Sequence, residues 1–298
     1  MSDPGTIDRW LNVIKDVLVP AGALTALLFY FGYASTRAEY QYFGVDIGAV
    51  GLGTNDFLVR SPHPLLVPVL LIAVLAGLGV WLHLALRRLL EKPDDPRATR
   101  LLVIRRLSAA VAWIGAGLGL CGIVLMLIYP LLSDWPVYDL VTPLCLMTGI
   151  VMFAYGQHLR TQTAQAIEGP PTDDRAKRLL GVLAAAAVVG CVFWVTATLA
   201  DWSGRGLGIT LSEHFSDLPS VILDTEEPLQ WHSAGIEESA LPAVSGQTYR
   251  YRYRHLRLLI EGGGRMFLVP DQWRPSDTTF LVPLDDTVRV QFQFQNPS

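Results

Sequence analysis

The stretch LLVPVLLIAVLAGLGVWLHLAL, Leu65–Leu86, runs for 22 residues without an Asp, Glu, Lys or Arg. A helix rising about 1.5 Å per residue makes such a run long enough to cross the ~30 Å hydrocarbon core of a bilayer. Its single ionisable side chain, His83, lies near one end. Four other charge-free stretches read the same way: Val17–Ala34, Leu107–Pro130, Leu140–Gln157 and Leu179–Ala200. The 298-residue chain is 51% hydrophobic and only 17% charged, against roughly 25% charged in soluble domains. The deficit falls before residue 200, and ordinary charge density follows it. The expected architecture is a membrane all-α bundle of about five transmembrane helices followed by a small C-terminal all-β domain, a sandwich or barrel-like fold.

In domain terms, residues 17–200 form the transmembrane part, interrupted by a long outer loop at 35–64, and residues 201–298 form the β domain. Residues 1–16 place Ile7, Trp10, Leu11 and Ile14 at helical spacing. They read either as an amphipathic lead-in at the cytoplasmic interface or as the first turns of one long helix. The first span is too long and too aromatic for a cleaved signal core and continues into further aromatic residues, so it reads as retained.

Arg and Lys set the orientation. Arg87, Arg88, Lys92, Arg97, Arg100, Arg105 and Arg106 lie between the second and third spans. Arg160, Arg175, Lys177 and Arg178 lie between the fourth and fifth. The first interspan loop holds only Arg37 and Arg60, and the loop around Trp135 holds none. The basic segments therefore face the cytoplasm, together with the N-terminus. Five spans then leave the C-terminal domain extracytoplasmic, in a multi-pass plasma-membrane protein.

The spans carry almost no ionisable groups, which argues against proton relays and coupled transport. Gly115 and Gly119 give the third span a smooth face for helix packing, within the bundle or between copies as a homo-oligomer. Cys121, Cys145 and Cys191 lie in apolar stretches at no metal-ligand or disulfide spacing.

The tail reads as strands: Ser220–Thr225, two runs flanking Gly262–Gly264 as a hairpin, and a last strand in which Val288, Val290 and Phe292 alternate with Arg289, Gln291 and Gln293. That alternation predicts a sheet with one buried and one wet side. In Thr248–Pro270, Arg250, Arg252 and Arg254 alternate with Tyr249, Tyr251 and Tyr253, yet Leu256, Leu258 and Ile260 fall on the parity of the arginines. A bulge near Arg254–Arg257 reconciles the two runs and keeps the arginines in water. There they meet Glu226, Glu227, Glu237 or Glu238 across strands, or an anionic lipid or acidic envelope polymer, or a protein partner. Nucleic acid does not fit a tail with 13 acids against 8 arginines.

In the outer loop, Val45, Ile47, Val50 and Leu52 alternate with glycines, as in a stretch lying on a membrane. Tyr40, Tyr42, Phe43 and Phe57 are candidate contact residues; they either bind a partner, pack under the tail or sink into headgroups. Gly204, Gly206 and Gly208 read as a flexible exit from the last span. His214, His232 and His255 have no second His or Cys at ligand spacing, and no nucleophile elbow, phosphate loop or zinc helix motif occurs. The reading is of a protein that is not an enzyme and needs no cofactor.

The segments LPSVILDTEEPL (Leu218–Leu229), Tyr249–Pro270 and YQYFGVDIGAVGLGTNDFLVRS (Tyr40–Ser61) resemble those of multi-pass membrane proteins of high-GC Gram-positive bacteria. The resemblance implies the architecture and a plasma-membrane location, and carries over no activity and no ligand residues. The functional expectation is an integral membrane protein presenting its β domain to an envelope component or another membrane protein. The alternative is an oligomeric channel or transporter subunit.

Overall fold

The computed structural model describes residues 19–90, 97–132, 134–168, 174–231, 235–242 and 247–293. The lead-in at 1–16, the first two residues of the expected first span, and His232 lie outside the described residues. The chain divides into two compact units. One joins the chain up to Leu65 to the chain from Ala200 onward, and the other is Leu66–Leu199.

Among the described residues four helices, not five, are long and apolar enough to cross a membrane: Pro62–Ala85, Arg105–Leu127, Tyr138–Thr161 and Arg175–Glu213. They lie within helices α4 (Pro62–Leu90), α5 (Arg97–Leu127), α7 (Tyr138–Glu168) and α8 (Asp174–Glu213), with the single turn α6 (Tyr129–Leu132) between α5 and α7. The helix of the expected first span, α1 (Val19–Gln41), is not among them. Its described apolar run stops at Ala34, and Arg37 and Glu39 follow within the same helix. Phe31, Ser35, Thr36, Ala38 and Tyr40 are buried by the protein itself.

In the unit Leu66–Leu199, α5 and α7 pair along a seam of small residues. Ser108, Ala112, Gly115, Gly119 and Gly122 recur at three- and four-residue spacing on α5. Leu146, Gly149, Phe153 and Gly156 do so on α7. A Cβ on Gly149 would strike the Gly119 backbone, and one on Gly115 would strike Phe153 N and lie 2.9 Å from Gly149 O. The helices meet backbone to backbone, which is how helices associate where hydrocarbon supplies no hydrophobic drive. Their other faces are apolar and exposed, as at Trp113, Leu120, Leu127 and Val151.

In the other unit, α1 continues past the expected span end to Gln41. A turn with Gly44 at φ +73° leads to α2 (Ile47–Val50), and α3 (Thr54–Arg60) folds back on α1 so that Gly32 lies against Phe57 O. The run at Gly204–Gly208 is not a flexible exit: α8 stays helical through it to Glu213. Gly204 and Gly208 sit against the Ser35 and Glu39 carbonyls of α1. Here glycine permits close approach rather than disorder.

The tail is one open antiparallel sheet, not a sandwich or barrel. Its strands are β1 (Ser220–Thr225), β2 (Glu237–Ala240), β3 (Tyr251–Gly262), β4 (Arg265–Pro270), β5 (Phe280–Pro283) and β6 (Val288–Gln293). The order is β5-β4-β3-β1-β6, with β2 also paired to β3. The 12-residue β3 accommodates both β2, against Tyr251–Arg254, and β4, against Leu256–Gly262. No described strand joins β5 to β6, so the sheet does not close. The outer loop supplies the second layer that another sheet would have supplied.

The expected bulge is present. Tyr253 pairs with Leu223 and Leu256 with Val221, so Arg254 and His255 together oppose Ile222. His255 takes φ +63°, a left-handed conformation suited to the extra residue. The slip turns Leu256 to the same side as Tyr253, and both are fully buried in one cluster with Val221, Leu223, Met266, Leu268 and Val282. A second slip at Leu259 lets Leu259 and Ile260 join the cluster on the opposite face. That face is polar over β1, β6 and the start of β3, where the partly exposed Arg252 and Arg289 lie over the buried Asp224. Over β4 and the end of β3 it is covered, so the expectation of one buried and one wet side holds for half the sheet.

Candidate functional site

The covered half of the sheet explains the outer-loop aromatics. Tyr40, Phe43 and Phe57 are buried, and Tyr42 is half-buried. The Phe43 ring lies 5.8 Å from Phe215 and 5.0 Å from Trp273, centroid to centroid, and Tyr42 also faces Trp273 at 5.8 Å. Phe57 is set edge-on to Phe29 and Tyr33 at the base of the loop. Val45, Ile47 and Val50, which suggested a stretch lying on a membrane, point into the same cluster. Thr279 Oγ1 donates to Phe43 O at 2.7 Å. Burial within this unit leaves Tyr40, Phe43 and Phe57 poor candidates for a partner surface, while Tyr42 stays half-exposed beside Trp273.

The hairpin Gly262–Gly264 shows why three glycines occur where a turn needs two. Gly263 and Gly264 take φ +55° and +71°, the conformation of a tight hairpin turn. Gly262 instead abuts the loop: a Cβ there would meet Val50 O and come within 2.9 Å of Val50 Cγ1.

The wet half of the same face carries the arginines. Asp224 of β1 is directly opposite Arg252 of β3 on one side and Arg289 of β6 on the other. Asp224 is fully buried, and its carboxylate accepts from Arg252 Nε at 2.7 Å, Arg252 Nη2 at 3.0 Å, Arg289 Nε at 3.1 Å and Gln291 Nε2 at 3.2 Å. Burial pushes the Asp224 pKa up, but the hydrogen bonds and charges of Arg252 and Arg289 outweigh it and hold the carboxyl below its ordinary value. Arg289 also lies over the Tyr249 ring, 5.1 Å from its centroid.

The three sequence-nominated arginines therefore differ. Arg252 is committed to Asp224. Arg254 is exposed and pairs in register with Glu237, and Arg250 is exposed at the start of the ladder. Arg250, Arg252, Arg254 and Arg289 outnumber Asp224 and Glu237, so this patch is positive on a tail that is acidic overall. Arg289 and Asp224 were missed in the sequence reading. The alternation of Asp224 with Val221 and Leu223 in one strand, against Arg289 in another, was the available signal, but only strand order makes them neighbours.

His255 at the bulge has Nδ1 3.2 Å from Asp271 Oδ2 and Nε2 3.4 Å from Glu237 Oε2, while Asp271 also takes Arg257 Nε. Arg257 ties this edge to Leu218 O at 2.9 Å. His214 caps its own helix through Thr210 O at 3.0 Å. Among the described residues no three His, Cys, Asp or Glu side chains converge for a metal ion. An open hollow lined by Arg37, Gln41, Gly44, Val45 and Asp46 lies at the end of α1. Nearby, Glu39 is mostly buried, with Arg60 Nη1 3.9 Å away. Burial raises its pKa, and the Arg60 charge only partly opposes this.

Gly115 and Gly119, nominated for helix packing, both lie on the α5–α7 seam. A Cβ on Gly119 itself would meet open space, whereas Gly115 is closed by α7. In the same unit His83 Nδ1 and the Tyr155 hydroxyl share a 2.9 Å hydrogen bond between α4 and α7. Compared with protein-family models, with curated proteins and with solved structures, the chain finds no match.

Proposed function

We propose that this chain is a non-enzymatic integral plasma-membrane protein whose outer loop and C-terminal sheet form one exported platform. The platform meets an acidic envelope polymer or another membrane protein through its arginine face. The observation that carries this reading is the shared core of Phe43, Phe215 and Trp273. Segments that share a core lie on one side of a membrane. Four apolar helices separate the loop from the tail, and an even number of crossings returns the chain to the side it left. The basic segments around residues 87–106 and 160–178 then fall on the opposite side, which the distribution of Arg and Lys assigns to the cytoplasm. The location also agrees with the resemblance to membrane proteins of high-GC Gram-positive bacteria.

The exposed part of the patch, Arg250 and Arg254 with the half-exposed Arg289, suits anionic groups on a polymer or protein. The glycine seam that suggested a channel or transporter subunit is occupied by α5–α7 pairing within one chain, which favours the platform.

Photo-crosslinking from positions 250 and 254 in living cells tests the reading. It predicts capture of an acidic polymer or a discrete membrane protein, lost in Arg250→Glu/Arg254→Glu. Turnover of an envelope substrate by the purified protein, abolished by His214→Ala or His255→Ala, would replace it with an enzymatic one.

A further inference from the structure

We propose that β6 is a strand-addition edge through which two copies of this chain pair antiparallel about Val290. The proposal rests on the sheet alone and holds whichever side of a membrane the sheet occupies.

The sheet's strand ends are not equally protected. An edge strand presents unpaired N–H and C=O groups, and proteins usually blunt it by shortness, charge, proline or a bulge. β5 is four residues long and ends in Pro283, which has no N–H to offer. β2 is also four residues long and begins with Glu237 and Glu238. β6 has none of these devices except a single charge. It is six residues long and pairs with β1 in unbroken register. It contains no Pro, Lys, Asp or Glu, and its one charge, Arg289, is drawn onto the sheet face by Asp224.

The hydrogen-bond phase identifies the free groups. Thr225 accepts from Arg250 N at 2.9 Å, so its backbone faces β3. Alternation along β1 then turns Asp224, Ile222 and Ser220 toward β6, where they meet Arg289, Gln291 and Gln293. The N–H and C=O groups of Val290 and Phe292 point away from the sheet, and no described strand pairs with them. Independently, Phe292 is 59% exposed, a large aromatic on the strand whose edge is open.

The edge is complementary to itself. With Val290 opposite Val290 of the second copy, the two exchange a pair of backbone hydrogen bonds. Phe292 falls opposite Val288 of the copy and is covered, and Arg289 falls opposite Gln291 of the copy. No like charges meet, and apolar residues stay on one face while polar residues stay on the other. This is the isologous contact of a two-fold dimer.

The test uses the full-length chain in detergent and in nanodiscs. Native mass and light scattering are expected to show a dimer. Phe292→Lys, a charge at an exposed edge site, is expected to weaken dimerisation on the order of tenfold or more while leaving thermal unfolding of the sheet unchanged. In a background with Cys121, Cys145 and Cys191 replaced by Ala, spin labels at Gln293→Cys are expected about 20 Å apart, from six residues of offset at about 3.4 Å each. A monomer at all concentrations, a dimer unmoved by Phe292→Lys, or a label separation beyond about 40 Å would overturn the proposal. If Phe292→Lys fails to fold, the label distance decides alone. A monomer that captures an extended peptide on β6 would also overturn it, since the occupant would then be a different chain.

Discussion

The α5–α7 seam and the loop–sheet core are both closely packed, by opposite means. Along the seam the side chains are nearly absent: Gly115, Gly122, Gly149 and Gly156 let two backbones touch. Beneath the sheet the side chains are the largest available, with Phe43, Phe215 and Trp273 face to edge. A seam surrounded by apolar residues gains nothing from burying more apolar surface, so it gains from proximity and many weak contacts. A core that excludes water gains in proportion to the apolar area it hides. The two halves of one chain thus follow the rules of two solvents.

That contrast can be broken at either end. The largest effect is expected in the aromatic core. Trp273→Ala should cost about 3–5 kcal/mol in unfolding of the loop–sheet unit, read from its thermal melt in detergent. It should also expose the outer loop to protease and leave the α5–α7 pairing intact. On the seam, Gly149→Val should cost about 3 kcal/mol, because its Cβ meets the Gly119 backbone, which cannot yield. Gly119→Ala, whose Cβ meets open space, should be nearly silent, and crosslinking between α5 and α7 distinguishes the two. If both variants behave alike, the seam is not where the helices touch.

The electrostatic predictions are smaller. Asp224→Asn should cost about 2 kcal/mol at neutral pH, because two arginines lose a charged acceptor. The Asp224 pKa is lowered on folding, so this stabilisation is fully present above its unfolded value near 3.8 and is lost as pH falls through the lower folded value. The gap between wild type and variant should therefore close in acid. Glu39 has the opposite sign. Its pKa is raised on folding, so its burial costs nothing below its ordinary value of 4.5, costs progressively more as pH rises from there, and costs in full once pH has passed the raised folded value. Glu39→Gln should stabilise by under about 1 kcal/mol at neutral pH and make no difference in acid.

Much of this architecture was legible because its signals are local. A charge-free run is visible one residue at a time, and four of the five expected spans lie on long apolar helices, although the helices run on past the expected limits, the last from Asp174 to Glu213 rather than ending at Ala200. The bulge at Arg254–His255 was legible because a parity slip is written along a single strand. What sequence could not supply was pairing between distant segments. Nothing in Val45, Ile47 and Val50 says that they lie under a sheet rather than on a lipid surface, since both hide the same apolar side. Gly204–Gly208 reads as a loose exit until α1 is laid against it. Asp224 sits in an ordinary short strand, and its role depends on strand order that places Arg252 and Arg289 on either side. Among the described residues the first helix, Val19–Gln41, is not one of the four apolar enough to cross a membrane, and the expected run Val17–Ala34 begins outside the described residues.

The central claim is that loop and sheet are one unit on the outer side of the membrane, and substituted-cysteine labelling with a membrane-impermeant maleimide tests it most directly. Asn55→Cys and Glu226→Cys should label together in intact cells, and Thr99→Cys only after the membrane is opened. Labelling of Thr99→Cys alone in intact cells, or of only one of the outer pair, would contradict it.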